Sequence, residues 1–179
     1  MTGRSKVLGL ALALSSVVAV SQAGAQGRPI ELGTAIGVSF DFGSGATLTT
    51  VSVPTSTLRV GFWMNDRISV EPNAGLTWLH ASGESVTNFN AALALLYHFN
   101  ADASRTRPYF TIFPGVNHID AGGGSATQFF AGAGLGALFP LQERLAFRAE
   151  GLYTHSFSTS TLGSGDAAAA RIGFSFFTH

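Results

Sequence analysis

The sequence predicts an all-β chain: eight antiparallel strands joined up-and-down into a transmembrane β-barrel, preceded by a cleaved signal peptide. Three observations carry this. Bulky apolar residues alternate with small or polar ones over eight stretches of about 9–11 residues, the length a tilted strand needs to cross a bilayer. Short polar turns alternate with longer connections rich in Gly, Ser and Thr, as even-stranded membrane barrels require. An eight-stranded barrel is narrow inside, so the small face fits the interior and the bulky face must look outward, which only lipid permits.

The composition agrees. Of 179 residues only 11% are charged, while 22 are Gly and none is Cys. Disulfides and thiolate metal sites are therefore excluded. A net charge of zero gives no reason to expect nucleic acid. The first 25 residues combine Arg4 and Lys6, an apolar run from Val7 to Val20, and small residues at Ala23-Gly24-Ala25. That run is shorter than the roughly 20 residues of a spanning helix, and the pattern is that of a secretory signal. The expected organisation is a signal peptide at 1–25 and an outer-membrane β-barrel domain at 26–179. The latter holds eight Arg, ten acids and no Lys.

Strands are expected at 31–42, 55–64, 67–78, 87–99, 107–117, 127–139, 144–155 and 167–177. In the first, Leu32, Ile36, Val38, Phe40 and Phe42 alternate with Glu31, Gly33, Ala35, Gly37, Ser39 and Asp41. The second follows a long connection, "GSGATLTTVSVP", and is joined by the tight "MNDR" turn to the third. There Ile68, Val70, Leu76 and Trp78 alternate with Arg67, Ser69, Glu71, Asn73 and Gly75. After "HASGESV" the fourth sets Phe89, Leu93, Leu95, Tyr97 and Phe99 against Asn88, Asn90, Ala92, Ala94 and His98. "NADASRT" leads to the fifth strand and "NHIDAGGGSA" away from it. The sixth, "FFAGAGLGALF", is so rich in Gly and Ala that its register is expected to be weakly fixed. "PLQER" and "HSFSTSTLGSGDA" flank the seventh, and the last alternates Ile172, Phe174 and Phe176 with Arg171, Gly173 and Ser175. Pro72 and Pro114 each remove a ladder donor, and a bulge is expected at both.

Charges sort by this topology. Asp41, Glu84, Asp120 and Asp166 fall in or beside the long loops. Arg28, Arg67, Arg105, Arg107 and Arg144 lie at the short-turn end, with Glu31, Asp66, Asp102 and Glu143. Arg59, Glu71, Arg148, Glu150 and Arg171 are mid-strand. An Arg facing hydrocarbon costs about 2–4 kcal/mol, so these five must form an interior ion-pair network, with Arg59 and Glu71 paired across the "MNDR" hairpin.

Three long loops carry a His with an acid: His80 with Glu84, His118 with Asp120, His155 with Asp166. Nothing fixes ligand spacing between separate loops, so no metal site and no cofactor are expected. "GAGLG" at 132–136 lacks the nucleotide-binding spacing and signals close packing inside the barrel, and "GSGAT" lacks the Lys of a phosphate loop. Trp78, Tyr97, Phe99, Phe139 and Tyr153 fall near strand ends, as interfacial girdle residues do.

The signal peptide, the strand count, the alternation of connections and the terminal "RIGFSFF" together resemble the small eight-stranded outer-membrane β-barrel family, the OmpA/OmpX-like outer membrane protein beta-barrel domain. That resemblance implies a C-terminal signal read by the barrel-assembly machinery, matched here by Gly173, Phe174 and Phe176. The family ends on an aromatic residue, whereas this chain ends Phe177-Thr178-His179. It implies residence in the Gram-negative cell outer membrane, with outer-membrane lipid and lipopolysaccharide as partners, as a monomer without a peptidoglycan-binding domain. The function implied is a structural, non-catalytic barrel whose surface loops serve envelope integrity or adhesion. The alternatives are a small pore or a lipid A-modifying enzyme. A deacylase of that kind uses a His and a Ser two apart on one strand face, oriented by a carboxylate. Here Ser156 adjoins His155 and Ser158 is three away, so neither shares its face by that spacing, and no acid follows His155 before Asp166.

Overall fold

Nine antiparallel strands, and no helix, make up the described residues of the computed structural model: 28–43, 46–52, 57–81, 84–121, 124–160 and 162–178. They are β1 (Ile30–Gly43), β2 (Ala46–Ser52), β3 (Leu58–Trp63), β4 (Ile68–Ala81), β5 (Glu84–His98), β6 (Arg107–Ala121), β7 (Gly124–Gln142), β8 (Leu145–Ser156) and β9 (Gly165–Phe177). Each of β3 to β9 pairs with the next, β3 pairs with the start of β1, and β9 pairs back onto β1. Eight strands therefore close a barrel. The ninth, β2, lies beside the far half of β1.

The closure is staggered. Cross-strand partners followed from Ile30 run through Phe62, Val70, Leu95, Ile112, Ala133, Tyr153 and Ala168, and return to β1 at Phe40, ten residues further along. Such a stagger tilts the strands, by about 35–45° in barrels of this kind.

Several expectations need correction. The connection at 43–54 holds β2, whose Thr47, Leu48, Thr49, Thr50 and Val51 are rich in the β-branched residues that favour strands. The barrel strand expected at 55–64 is confined to Leu58–Trp63. The expected loops at 80–86 and 117–126 are instead the ends of long hairpins, since β4 runs to Ala81 and β6 to Ala121. Pairing continues to Ala81↔Glu84 and Ala121↔Gly124, and satisfies backbone groups that a loop would leave to water.

Neither expected proline bulge forms. The β3–β4 register is the same at Arg59↔Asn73 and Phe62↔Val70, on either side of Pro72. The β5–β6 register is likewise unchanged between Ala92↔Gly115 and Leu95↔Ile112, around Pro114. The missing donor interrupts bonding locally without shifting the strands. The register shift falls instead between Pro140 and Gln142, at the short-turn end of β7.

The short turns are tied by side chains. Asn65 Oδ1 accepts hydrogen bonds from the backbone N–H of Arg67 and Ile68, both at 2.8 Å. Asp102 accepts from the Ser104 hydroxyl at 2.7 Å and its N–H at 2.9 Å. These bonds, with nearby Arg105, hold the Asp102 carboxyl below the usual range.

The bulky face looks outward as expected: Leu32, Ile36, Phe40, Leu93, Ile112, Leu135 and Ile172 are all exposed. The inward face is less uniform than expected. Trp63, Leu96, Tyr109, Phe113, Leu138 and Leu152 are buried among the small residues. They fit because glycines stand opposite. A Cβ on Gly132 would strike the Phe113 ring, one on Gly136 the Tyr109 ring, and one on Gly134 the Leu152 side chain. That large-on-small fit also corrects the expectation for β7. Its register is held by an unbroken ladder with β6 from Arg107↔Leu138 to Ala121↔Gly124.

Candidate functional site

The alternation that sends Leu and Phe outward brings the charged residues into the lumen, and their long side chains converge on Arg148. That guanidinium is 2% exposed. Its Nη1 donates to Glu71 Oε1 at 2.9 Å and Glu31 Oε1 at 3.2 Å, and its Nη2 donates to Glu150 Oε1 at 2.8 Å. Its Nε donates to the Tyr109 hydroxyl at 2.7 Å, which in turn donates to Glu150 at 2.8 Å. Glu150 Oε2 accepts from Arg59 Nη1 at 3.1 Å.

Four of the five predicted network residues, Arg59, Glu71, Arg148 and Glu150, thus meet in one buried cluster. The expected Arg59–Glu71 pair does not form. The hairpin sets Arg59 opposite Asn73, so Glu71 pairs with Arg148 and Arg59 with Glu150. Arg171 lies directly across from Glu150 in the β8–β9 ladder. Both oxygens of Glu150 are already engaged, and Arg171 makes no ion pair or side-chain hydrogen bond among the described residues. Glu31 and Tyr109 were missed. Its position in the chain groups Glu31 with the short-turn charges, although its parity with Gly33 and Ala35 points inward. Tyr109 has the same signal in its parity with Thr111 and Phe113.

The cluster separates two cavities. One of about 320 Å³ lies at the short-turn end, lined by Trp63, Arg107, Leu138, Leu145 and Phe177. Arg107, placed by sequence among turn charges, is buried there, 4.0 Å over the Trp63 ring and bonded to the Asp66 and Asn100 carbonyls. The other, of about 290 Å³, lies on the long-hairpin side and is lined by Arg59, Arg171, Asn88, Asn117, Thr154 and Ser156 among others.

Three arrangements bear on catalysis. Ser69 Oγ lies 3.2 Å from His98 Nε2, a nucleophile–base contact in principle, and both residues are fully buried. His155, expected in a loop, is on β8 with its Nδ1 2.8 Å from Asp166, its cross-strand partner, which also accepts from the Tyr153 hydroxyl at 2.6 Å. The carboxylate orienter therefore exists, yet the residue two along from His155 is Phe157, whose ring packs on the imidazole. His118 is on β6, with Nδ1 2.8 Å from the Thr127 hydroxyl. The side chains of Asp41, Trp78, His80 and Glu84 lie outside the described ones. No group of metal-ligating side chains occurs among the described residues.

At the strand ends Tyr97, Phe99, Phe139 and Tyr153 are exposed. On β9, Phe174 and Phe176 face outward and Phe174 packs edge-on against Phe147 at 5.9 Å. Gly173 is buried, and a Cβ there would strike the Thr34 carbonyl.

The family model described as outer membrane protein beta-barrel domain matches residues 9–176. No curated protein matches the sequence. Among solved structures, Neisserial surface protein A superposes with a TM-score of 0.64 at 14% identity, covering 82% of this chain and 96% of that one. OprG from Pseudomonas aeruginosa gives 0.56 at 16% identity, covering 85% and 96%. Ail, the attachment invasion locus protein of Yersinia pestis, gives 0.53 at 12% identity, covering 84% and 99%. These likenesses establish the fold.

Proposed function

This chain belongs to the outer membrane protein beta-barrel family, and from that premise we propose that it is a structural, non-catalytic barrel whose long hairpins serve envelope integrity or adhesion. The observation that supports this is the closed lumen: Arg148, with Glu31, Glu71 and Glu150 around it, fills the barrel cross-section with side chains 2–6% exposed. Function is then left to the surface, and the hairpins β4–β5 and β6–β7 are the parts that run on past the core. In this reading residues 1–25 are the cleaved export signal, and Gly173, Phe174 and Phe176 are what the assembly machinery reads. The chain works as a monomer among outer-membrane lipid and lipopolysaccharide, hairpins outward. The same fold is shared by a protein named for attachment and invasion, which is compatible with an adhesive role.

A small pore is the second reading, supported by cavities on both sides of the ion cluster. The enzyme reading has His155 and Asp166 in its favour and lacks a nucleophile beside them. The test compares cells with and without the protein for surface attachment, leakage of periplasmic contents and lipid A mass spectra. Changed attachment or leakage with identical lipid A is the expected result. A lipid A acyl pattern that depends on the protein would make it an enzyme and end this proposal.

A further inference from the structure

The cavity at the short-turn end, of about 320 Å³, has apolar walls: the buried Trp63, Leu138 and Ala146, with Leu145, Pro140 and Phe177. Its exposed lining residues include Gln142 and Glu143 of the short turn after β7, so it opens at the aqueous end of the barrel. The register shift between Pro140 and Gln142 falls on this rim. Such irregularities bend a strand, and they gather at barrel rims and beside sites. Apolar walls, a volume above about 300 Å³ and a few fixed polar groups are the make-up of a ligand pocket.

The fixed polar group here is Arg107, the one buried charge in the lining. Its guanidinium lies 4.0 Å over the Trp63 ring, and its Nε and Nη2 donate to the Asn100 and Asp66 carbonyls at 3.3 and 2.7 Å. Both acceptors are neutral. Nη1 makes no hydrogen bond among the described residues and is not one of the sealed polar atoms, so it is open to solvent. No described carboxylate pairs with Arg107: Glu31 is bonded to Arg148 and Asp102 to Arg105, while Asp66 and Glu143 stand exposed in turns, where water screens them. A guanidinium held in place beside apolar walls, with an N–H to spare, suits an anionic head on an apolar body. A carboxylate uses that N–H, whereas a phosphate would leave further oxygens unpaired against the walls.

We propose that this cavity binds a short aliphatic monocarboxylate, its carboxylate on Arg107 and its chain against Trp63, Leu138 and Ala146. This goes beyond the structural reading and does not depend on it.

The chain has two tryptophans, Trp63 and Trp78, so Trp78→Phe leaves the cavity with its own fluorescent reporter. Trp63 is buried inside the barrel, away from probe dissolved in the lipid. The test titrates this protein, folded in lipid nanodiscs at pH 7, with octanoate, octanol and octylamine. Octanoate should change the Trp63 emission saturably, and octanol and octylamine should need at least about tenfold more for half the effect. Arg107→Gln should weaken octanoate by about ten- to a hundredfold, the loss of a charge-assisted bond, and leave octanol unchanged. Ala146→Leu, which puts a larger side chain into the cavity without touching a charge, should abolish the saturable response. Heat-shifted gel mobility reports whether each variant is folded, and if Arg107→Gln is not, Ala146→Leu and the ranking of the three probes decide. No saturable response to octanoate, equal or tighter binding of octanol or octylamine, or full octanoate affinity in a folded variant would each overturn the proposal.

Discussion

Removing Arg148 should be among the most damaging single changes available in this barrel. The side chain is almost fully buried and donates to Glu31, Glu71, Glu150 and Tyr109 at 2.7–3.2 Å. Arg148→Met keeps most of the volume but leaves Glu31 and Glu71 without their bonded cation and Glu150 with Arg59 alone. Each charged hydrogen bond is worth about 1.5–3 kcal/mol. The losses do not add, because the acids can protonate and relax, so the expected net cost is about 3–5 kcal/mol. Glu71→Gln alone should cost about 1.5–3 kcal/mol. The double variant should fall short of the sum by about 1–3 kcal/mol, the coupling of groups in direct contact. The same cycle run on Arg59→Met with Glu71→Gln should give a clearly smaller coupling, since Arg59 bonds to Glu150 and meets Glu71 only through the shared network. The assay is urea unfolding of protein folded in lipid vesicles, followed by Trp fluorescence and by heat-shifted gel mobility. A larger coupling for Arg59 with Glu71 than for Arg148 with Glu71 would refute the pairing described here. So would an Arg148→Met variant as stable as the parent.

Three further outcomes follow from the same structure. Gly136→Val should destabilise by about 1–3 kcal/mol, because the new side chain enters the space of the Tyr109 ring, while Gly151→Ala, with nothing within 4 Å, should be nearly neutral in the same unfolding assay. Ile112→Arg, midway along the lipid face of β6, should cost about 2–4 kcal/mol and Phe99→Arg, at the barrel end, at most about 1; equal costs would mean that lipid does not cover this face. For topology, single Cys residues at Gly123 and Ser164 should react with an impermeant reagent on intact cells and one at Asn65 should not, against a background with no native Cys. The reverse pattern would invert the orientation.

Period-two patterning made the faces of β1, β4, β5 and β9 legible, because lipid demands bulky apolar residues on one side and the lumen admits only what fits. Pairing across the lumen was not legible. Sequence spacing brings Arg59 and Glu71 near one another along a hairpin, yet Arg148 comes from a strand far along the chain and reaches Glu31 and Glu71 only because the ten-residue stagger sets their heights. The fit of Tyr109 over Gly136 and Phe113 over Gly132 was hidden for the same reason: it depends on the β6–β7 register, which neither strand encodes alone. In β2 the β-branched residues were visible, but their Gly and Ser surroundings read as a loop until pairing with β1 was known. The outward His155–Asp166 contact likewise needed the β8–β9 ladder, which sets them directly opposite.

The central claim is that the ion cluster around Arg148 seals the barrel. Single-channel recording of the purified full chain in planar bilayers tests it most directly. The wild-type protein should show no conductance above the bare membrane, and a folded Arg148→Ala variant, with the seal opened, should conduct. Steady conductance by the wild-type barrel, unchanged in Arg148→Ala, would contradict the account.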